Sequence, residues 1–207
     1  MVILHRMIKT IIFDLSEVII AGYKGIEYII EKAKGIPANV FVEKRRENCG
    51  TLWSDVMRGK ITFDEYIEQL FAGTNWEMSA DEFKKYFRQN LDIAVECTWQ
   101  VVEKLRGKYR LILLSDHVEE LTGYILKKYK ELKLFEKIIW SYEIGQIKTD
   151  AGTFEKVLDM LEIKAEETLF IDDNARYIDN ANSAGINTIL FTSAKELEKE
   201  LSKLKLI

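Results

Sequence analysis

From about residue 95 onward the chain alternates short apolar runs with longer segments whose apolar residues recur every three or four positions, and few folds accommodate that alternation. Predicted helix 98–106 leads into strand 110–115, helix 118–129 into strand 137–141, helix 151–162 into strand 168–172, and helix 175–184 into strand 187–191. Strands joined through helices build a parallel sheet, so the fold class is α/β. The last predicted helix, 194–204, carries Leu197, Leu201 and Leu204 at helical spacing and docks on the sheet by that face.

An earlier strand is expected at Ile11-Ile12-Phe13, but no second strand follows it. Residues 21–91 read instead as short amphipathic helices. Thr62-Phe63-Asp64-Glu65 and Ser79-Ala80-Asp81-Glu82 are capping boxes, in which hydroxyl and carboxylate satisfy each other's orphan backbone donors and start helices at Phe63 and Ala80. Pro37, the only proline, breaks the segment after Gly35, and Gly50 and Gly59 punctuate it again. The expected organisation is a core of residues 1–20 and 92–207 with an all-helical insert, 21–91, after strand 1. At 207 residues and 47% apolar content the chain can bury a core of that size.

Several function classes are set aside by composition. A net charge of −4, with lysines spread along helical segments, forms no basic stripe for nucleic acid. Cys49 and Cys97 are too few for a metal knuckle and poor evidence for a disulfide scaffold, which suits a reducing cytoplasm. The first residues lack a long apolar stretch of signal-peptide type, and Met7 is an alternative start. No run approaches the roughly 18 apolar residues of a membrane span, so a cytoplasmic location is expected. The charged fraction of 31% suits a soluble, heat-tolerant protein. Oligomeric state leaves no mark in the sequence.

Four polar signals follow strand-like runs in a fixed order: Asp14 after Ile11-Ile12-Phe13, Ser115 after Leu111-Ile112-Leu113-Leu114, Lys148 after Ile138-Ile139-Trp140, and Asp172-Asp173 after Leu169-Phe170-Ile171. Open α/β sheets bind ligands beyond the carboxyl ends of their strands, so these points should converge on one pocket. Singly, each has an ordinary explanation: a turn aspartate, a helix-capping serine, a solvated lysine. Adjacent carboxylates after an apolar strand are harder to explain that way, because like charges repel unless a cation lies between them, and magnesium suits an oxygen-only site beside a phosphate.

The ordered set resembles the haloacid dehalogenase superfamily of phosphohydrolases. Asp14-Leu15-Ser16-Glu17-Val18 resembles its first motif, Leu113-Leu114-Ser115-Asp116 its second, Gly145-Gln146-Ile147-Lys148-Thr149-Asp150 with Phe154 its third, and Asp172-Asp173-Asn174 with Ala181, Ala184 and Gly185 its fourth. The resemblance covers residues 8–192. It implies a Rossmann-like core with a parallel sheet and a mobile helical cap of the C1 type, and Trp53 with Arg58-Gly59-Lys60-Ile61-Thr62 and Glu65-Tyr66 resembles a helix start common in small sugar-phosphate phosphatases of the superfamily. It further implies that Asp14 is the nucleophile, that Ser115 and Lys148 act with it, and that Ser115, Asp116, His117 and Lys148 meet the substrate. Magnesium would be held by Asp14, the Ser16 backbone carbonyl, Asp172 and Asp173, with Asp173 the principal acidic ligand of the fourth motif. The implied substrate is a small phosphorylated metabolite, most plausibly a sugar phosphate.

Three departures qualify the match. The third residue of the first motif is normally an aspartate that protonates the leaving oxygen and then activates water, and here it is Ser16. Losing such help costs about 10² to 10⁴-fold. Glu17, His117 or a carboxylate from the insert are the substitutes the sequence offers. Thr149 replaces a proline, and Tyr177 stands where an Asp or Asn is common. Other readings are a weakly active or non-catalytic binding protein, a metal-free 2-haloacid dehalogenase, and a phospho-accepting signalling receiver. In the last of these the acidic pair follows the first strand, the reverse of the order here.

Overall fold

A computed structural model describes residues 8–207; the alternative start at Met7 lies outside the described residues. Five parallel strands form one sheet in the order β3-β2-β1-β4-β5: β1 (Thr10–Phe13), β2 (Arg110–Ser115), β3 (Lys137–Trp140), β4 (Thr168–Asp172) and β5 (Asn187–Leu190). The fold is α/β and Rossmann-like. Alternate residues of a strand point to opposite faces. Ile11 and Phe13 of β1 therefore pack with Leu111, Leu113, Leu169 and Ile171 on one face, against α6 (Glu96–Leu105), α7 (Glu119–Lys128) and α11 (Ala194–Lys203). Ile12, Ile112, Leu114 and Phe170 face the other way, against α9 (Thr153–Leu161) and α10 (Ala175–Ser183). A continuously apolar β1 is what a central strand covered on both sides requires.

Between β1 and α6 lie five helices: α1 (Ile26–Lys34), α2 (Ala38–Cys49), α3 (Leu52–Met57), α4 (Phe63–Phe71) and α5 (Ala80–Leu91). Both expected capping boxes are formed, Thr62 with Glu65 and Ser79 with Glu82. Each such cap stabilises its helix by about 1 kcal/mol. Gly35 and Gly50 cap the ends of α1 and α2, and Pro37 precedes α2. The insert is organised around Phe41, Phe63, Tyr66, Phe83 and Phe87, all buried, and Trp53 meets the Tyr66 ring edge-on at 5.1 Å.

The chain leaves and re-enters the core at one place. Ala21 N–H donates to Ile93 O at 2.7 Å, and Val95 N–H donates to Ile19 O at 2.9 Å. Asn90, near the end of α5, donates from its side chain to the backbone oxygens of Gly22 and Lys24 and so fixes the connector between them. Cys49 is buried, Cys97 is exposed, and both are free thiols. Among the described residues no helix is long and apolar enough to cross a membrane.

The third strand contains its whole apolar run and ends one residue before the expected 141. Ser141 instead opens α8 (Ser141–Ile144), and its hydroxyl donates to Met57 O of the insert at 2.6 Å. Gly145, in the left-handed region at φ 68°, then reverses the chain into the segment that carries Lys148.

Candidate active site

β1 lies between β2 and β4, and the register sets Phe13 opposite both Leu113 and Ile171. The carboxyl ends of three adjacent strands thus carry Asp14, Ser115 and Asp172. Lys148 arrives from the loop after α8 and inserts its ammonium among them, 2.5 Å from Asp14 Oδ1 and 2.6 Å from Asp172 Oδ2. It is 1% exposed, and it also stands over the Tyr177 ring at 4.8 Å. Burial works against its charge, but Asp14, Asp172 and Asp116 outweigh that and hold its pKa above the usual lysine value.

One ammonium does not neutralise the carboxylates gathered here. Burial pushes Asp14 well above the ordinary carboxylate range in spite of Lys148, and Asp172 and Asp116 push it further. The arrangement favours another cation. Asp14, Asp172 and Asp173 each offer a carboxylate oxygen within 4.8 Å of the others, a spacing at which one ion can touch all three. These are hard oxygen donors, the kind magnesium takes. Asp172 is further fixed by Asn174, whose N–H donates to Oδ1 at 2.8 Å. Asp173 is the most open of the three and carries the Lys24 ammonium at 2.5 Å.

A cleft of about 640 Å³ opens above this floor. Asp14, Ser16, Asp116, Lys148 and Asp173 line its base, and Tyr23, Trp53 and Met57 line the side toward the insert. Tyr23 and Trp53 meet edge to face at 4.8 Å, which ties the connector to the aromatic cluster of the insert.

Asp172, Ser115 and His117 do not line the cleft, although each was expected at the site. Asp172 lies beneath it, paired with Lys148. Ser115 is fully buried at the end of β2, and its Oγ has no hydrogen-bond partner, an unmet polar atom beside Asp14's strand. His117 differs more from expectation. It is fully buried behind Tyr23, with ring centroids 5.2 Å apart, and its backbone N–H donates to Ser141 Oγ at 3.0 Å. Burial pushes its pKa down to about 4, and its Nε2 is buried without a hydrogen-bond partner.

Ser16 lies where the first-motif departure put it. Its Oγ is buried without a partner, and a Cβ added to Gly22 would stand 2.6 Å from Ser16 Cβ. Glu17 takes the left-handed conformation, φ 63°, and its carboxylate accepts from Gly22 N–H at 2.9 Å. Tyr23, Lys24 and Met57 went unremarked in the sequence as site residues. Lys24 lies 149 positions from Asp173, and nothing local in the sequence marks the pair.

The model of haloacid dehalogenase-like hydrolases matches residues 8–185. A D-ribitol-5-phosphate phosphatase of Bacteroides thetaiotaomicron is 24% identical over 207 residues, which cover 95% of this chain and 98% of that enzyme. Drimenol cyclase of Aspergillus calidoustus is 26% identical over 159 residues, 74% of this chain but only 30% of the cyclase. Among solved structures, a HAD family enzyme from Bacteroides thetaiotaomicron in complex with magnesium and inorganic phosphate superposes with a TM-score of 0.74 at 24% identity, covering 90% of this chain and 95% of that one.

Proposed function

This chain belongs to the haloacid dehalogenase-like hydrolases, and we propose that it hydrolyses small phosphomonoesters, sugar phosphates first among them, with magnesium as cofactor. The observation that carries this reading is the position of Lys148 between Asp14 and Asp172, beside a third carboxylate, Asp173, at the base of a cleft. Metal-free dehalogenation has no use for that acidic trio. The similarity to a ribitol-phosphate phosphatase along nearly its whole length supports the sugar-phosphate assignment.

Lys148 binds Asp14 through Oδ1, which leaves Oδ2 to attack phosphorus. The ester oxygen departs, an aspartyl-phosphate forms, and water then releases inorganic phosphate and restores Asp14. Lys148 offsets the charge gathering between Asp14 and the phosphate, and Ser115 Oγ, buried without a partner at the end of β2 and outside the cleft lining, reaches a phosphoryl oxygen once the floor beside Asp14 opens to it. Asp14, Asp172, Asp173 and the Ser16 carbonyl would hold magnesium, and the ion would supply further charge neutralisation there. The insert, residues 21–91, acts as a lid that excludes water, turning on the paired crossings at Ile19–Ala21 and Ile93–Val95.

Ser16 favours a second reading, a binding protein with little turnover, because its sealed hydroxyl is a poor proton acceptor. A panel of phosphometabolites with excess magnesium separates the two. Phosphate release that chelator abolishes, with a phosphorylated Asp14 trapped by acid quench, is the expected result; no release from any compound, with phosphate still bound, would establish the binder.

A further inference from the structure

With serine at position 16, the proposed reaction lacks its usual proton carrier, and the residues around the cleft narrow where the proton comes from. Trp53, Ser54 and Met57 line it from the insert's helices, and none is a carboxylate. His117 is sealed behind Tyr23. Asp14 and Asp173 are taken up as nucleophile and metal ligand. Glu17 also lines the cleft, with one oxygen taken by the Gly22 N–H of its own connector, and serves as the comparison in the test below. Among the described residues the other carboxylate on the cleft is Asp116, next in the chain to Ser115 and held from the loop that carries Lys148.

We infer that Asp116 is the acid and base of the reaction, giving a proton to the departing oxygen and taking one back from the attacking water. The inference rests on the phosphatase reading above. Asp116 is 8% exposed yet lines the cleft, and its orientation is fixed by the Lys148 N–H, which lies 3.1 Å from each of its oxygens. Around it stand Lys148 from the loop after α8, Tyr177 from α10, Asp172 at the end of β4, Asp14 at the end of β1 and Tyr23 from the connector. Burial pushes its carboxyl up to about 6, against the pull of Lys148.

In the first step the Asp14 carboxylate forms a bond to phosphorus, the phosphorus–ester oxygen bond breaks, and that oxygen takes the Asp116 proton and leaves as the alcohol. In the second, water adds to phosphorus, its proton passes to the Asp116 carboxylate, and the bond between Asp14 and phosphorus breaks. Both aspartates end as they began.

Asp116→Asn keeps an oxygen to accept from the Lys148 N–H and removes the proton. The variant is compared with wild type on an alkyl phosphate and on p-nitrophenyl phosphate, whose leaving group departs without protonation. The expected result is a fall of about 10² to 10⁴-fold in kcat/KM for the alkyl ester and a much smaller one for the aryl ester. Vanadate binding, measured calorimetrically, should be retained. Equal losses on both esters, no loss, or a leaving-group-dependent loss in Glu17→Gln instead would overturn the assignment and leave the phosphatase reading standing. Absence of wild-type turnover on every ester would remove the phosphatase reading, and this inference with it.

Discussion

Arg58 of the insert grips Asp150 of the core with two parallel hydrogen bonds, Nε to Oδ2 at 2.7 Å and Nη2 to Oδ1 at 2.5 Å. The same carboxylate accepts from Ile147 N–H at 3.1 Å, so one aspartate holds both the insert and the loop that presents Lys148. Lysine cannot reproduce a forked contact of this kind. Arg58→Ala and Arg58→Lys should therefore behave alike, each losing about 1 kcal/mol of stability at a partly exposed pair. Both should exchange amide hydrogens faster in α3 than wild type; an unchanged rate there would show that Arg58 does not hold the insert down.

Removing the Lys148 charge leaves Asp14 and Asp172 buried and facing each other. Lys148→Met should cost about 3–5 kcal/mol in denaturant unfolding at pH 7, and phosphate release should disappear. The stability loss should shrink in acid as Asp14, already held above the ordinary carboxylate range by burial, takes up a proton. A variant as stable as wild type at neutral pH would mean that the carboxylates are not charged there.

His117 and Asp116 make opposite contributions to acid stability. His117 titrates in the fold at about 4, below its ordinary value of 6.5, so its contribution is whole above 6.5 and is lost as pH falls toward 4. Asp116 titrates at about 6, above its ordinary 3.8, so its contribution is whole below 3.8 and is lost as pH rises through 6. Each amounts to about 3 kcal/mol. Between pH 4 and 6 the two slopes oppose each other in the wild type. Thermal melting across that range should show His117→Asn gaining relative stability on acidification and Asp116→Asn losing it. Slopes of the same sign would refute the pairing.

Lys24 occupies one oxygen of Asp173, where a metal ion would compete with it. Magnesium should raise the melting temperature by mass action, and chelator should reverse the rise. Lys24→Ala should bind magnesium about 2–5-fold more tightly, the amount an exposed ion pair typically contributes. Weaker binding in calorimetry would instead make Lys24 part of the site.

Gly22 has no room for a side chain, since its added Cβ would meet Ser16 Cβ at 2.6 Å. Gly22→Ala should cost about 1–3 kcal/mol and displace the connector that carries Tyr23 and Lys24. Turnover should fall with it. Normal stability and normal turnover together would show that the connector yields easily.

Much of the molecule was legible because its signals are local. The apolar runs of β1, β2 and β4, the capping boxes at Thr62 and Ser79, and the breaks at Gly35 and Pro37 each depend on neighbours in the chain. Asp14, Ser115, Lys148 and Asp172 could be placed together only through the rule that parallel strands present their carboxyl ends on one side. What stayed hidden depends on distant partners. Ser141 reads as the end of a strand until Met57 O takes its hydroxyl, and His117 reads as a pocket residue until Tyr23 packs over it. The Asp150 carboxylate belongs to a motif in the sequence, but its partner Arg58 lies 92 positions away.

The paired crossings also bear on how the chain reaches its fold. β1 finds no partner nearby: Thr10 pairs with Arg110 on one side and Thr168 on the other. Contacts that distant close large loops, and the entropy lost in closing them slows assembly. A collapsed insert, with Ala21 already bonded to Ile93, shortens the effective path between β1 and β2 to residues 14–20 on one side and 94–109, which hold α6, on the other. The five helices of the insert thus double as a staple for the centre of the sheet, and variants that loosen their hydrophobic packing should delay the pairing of β1 with β2.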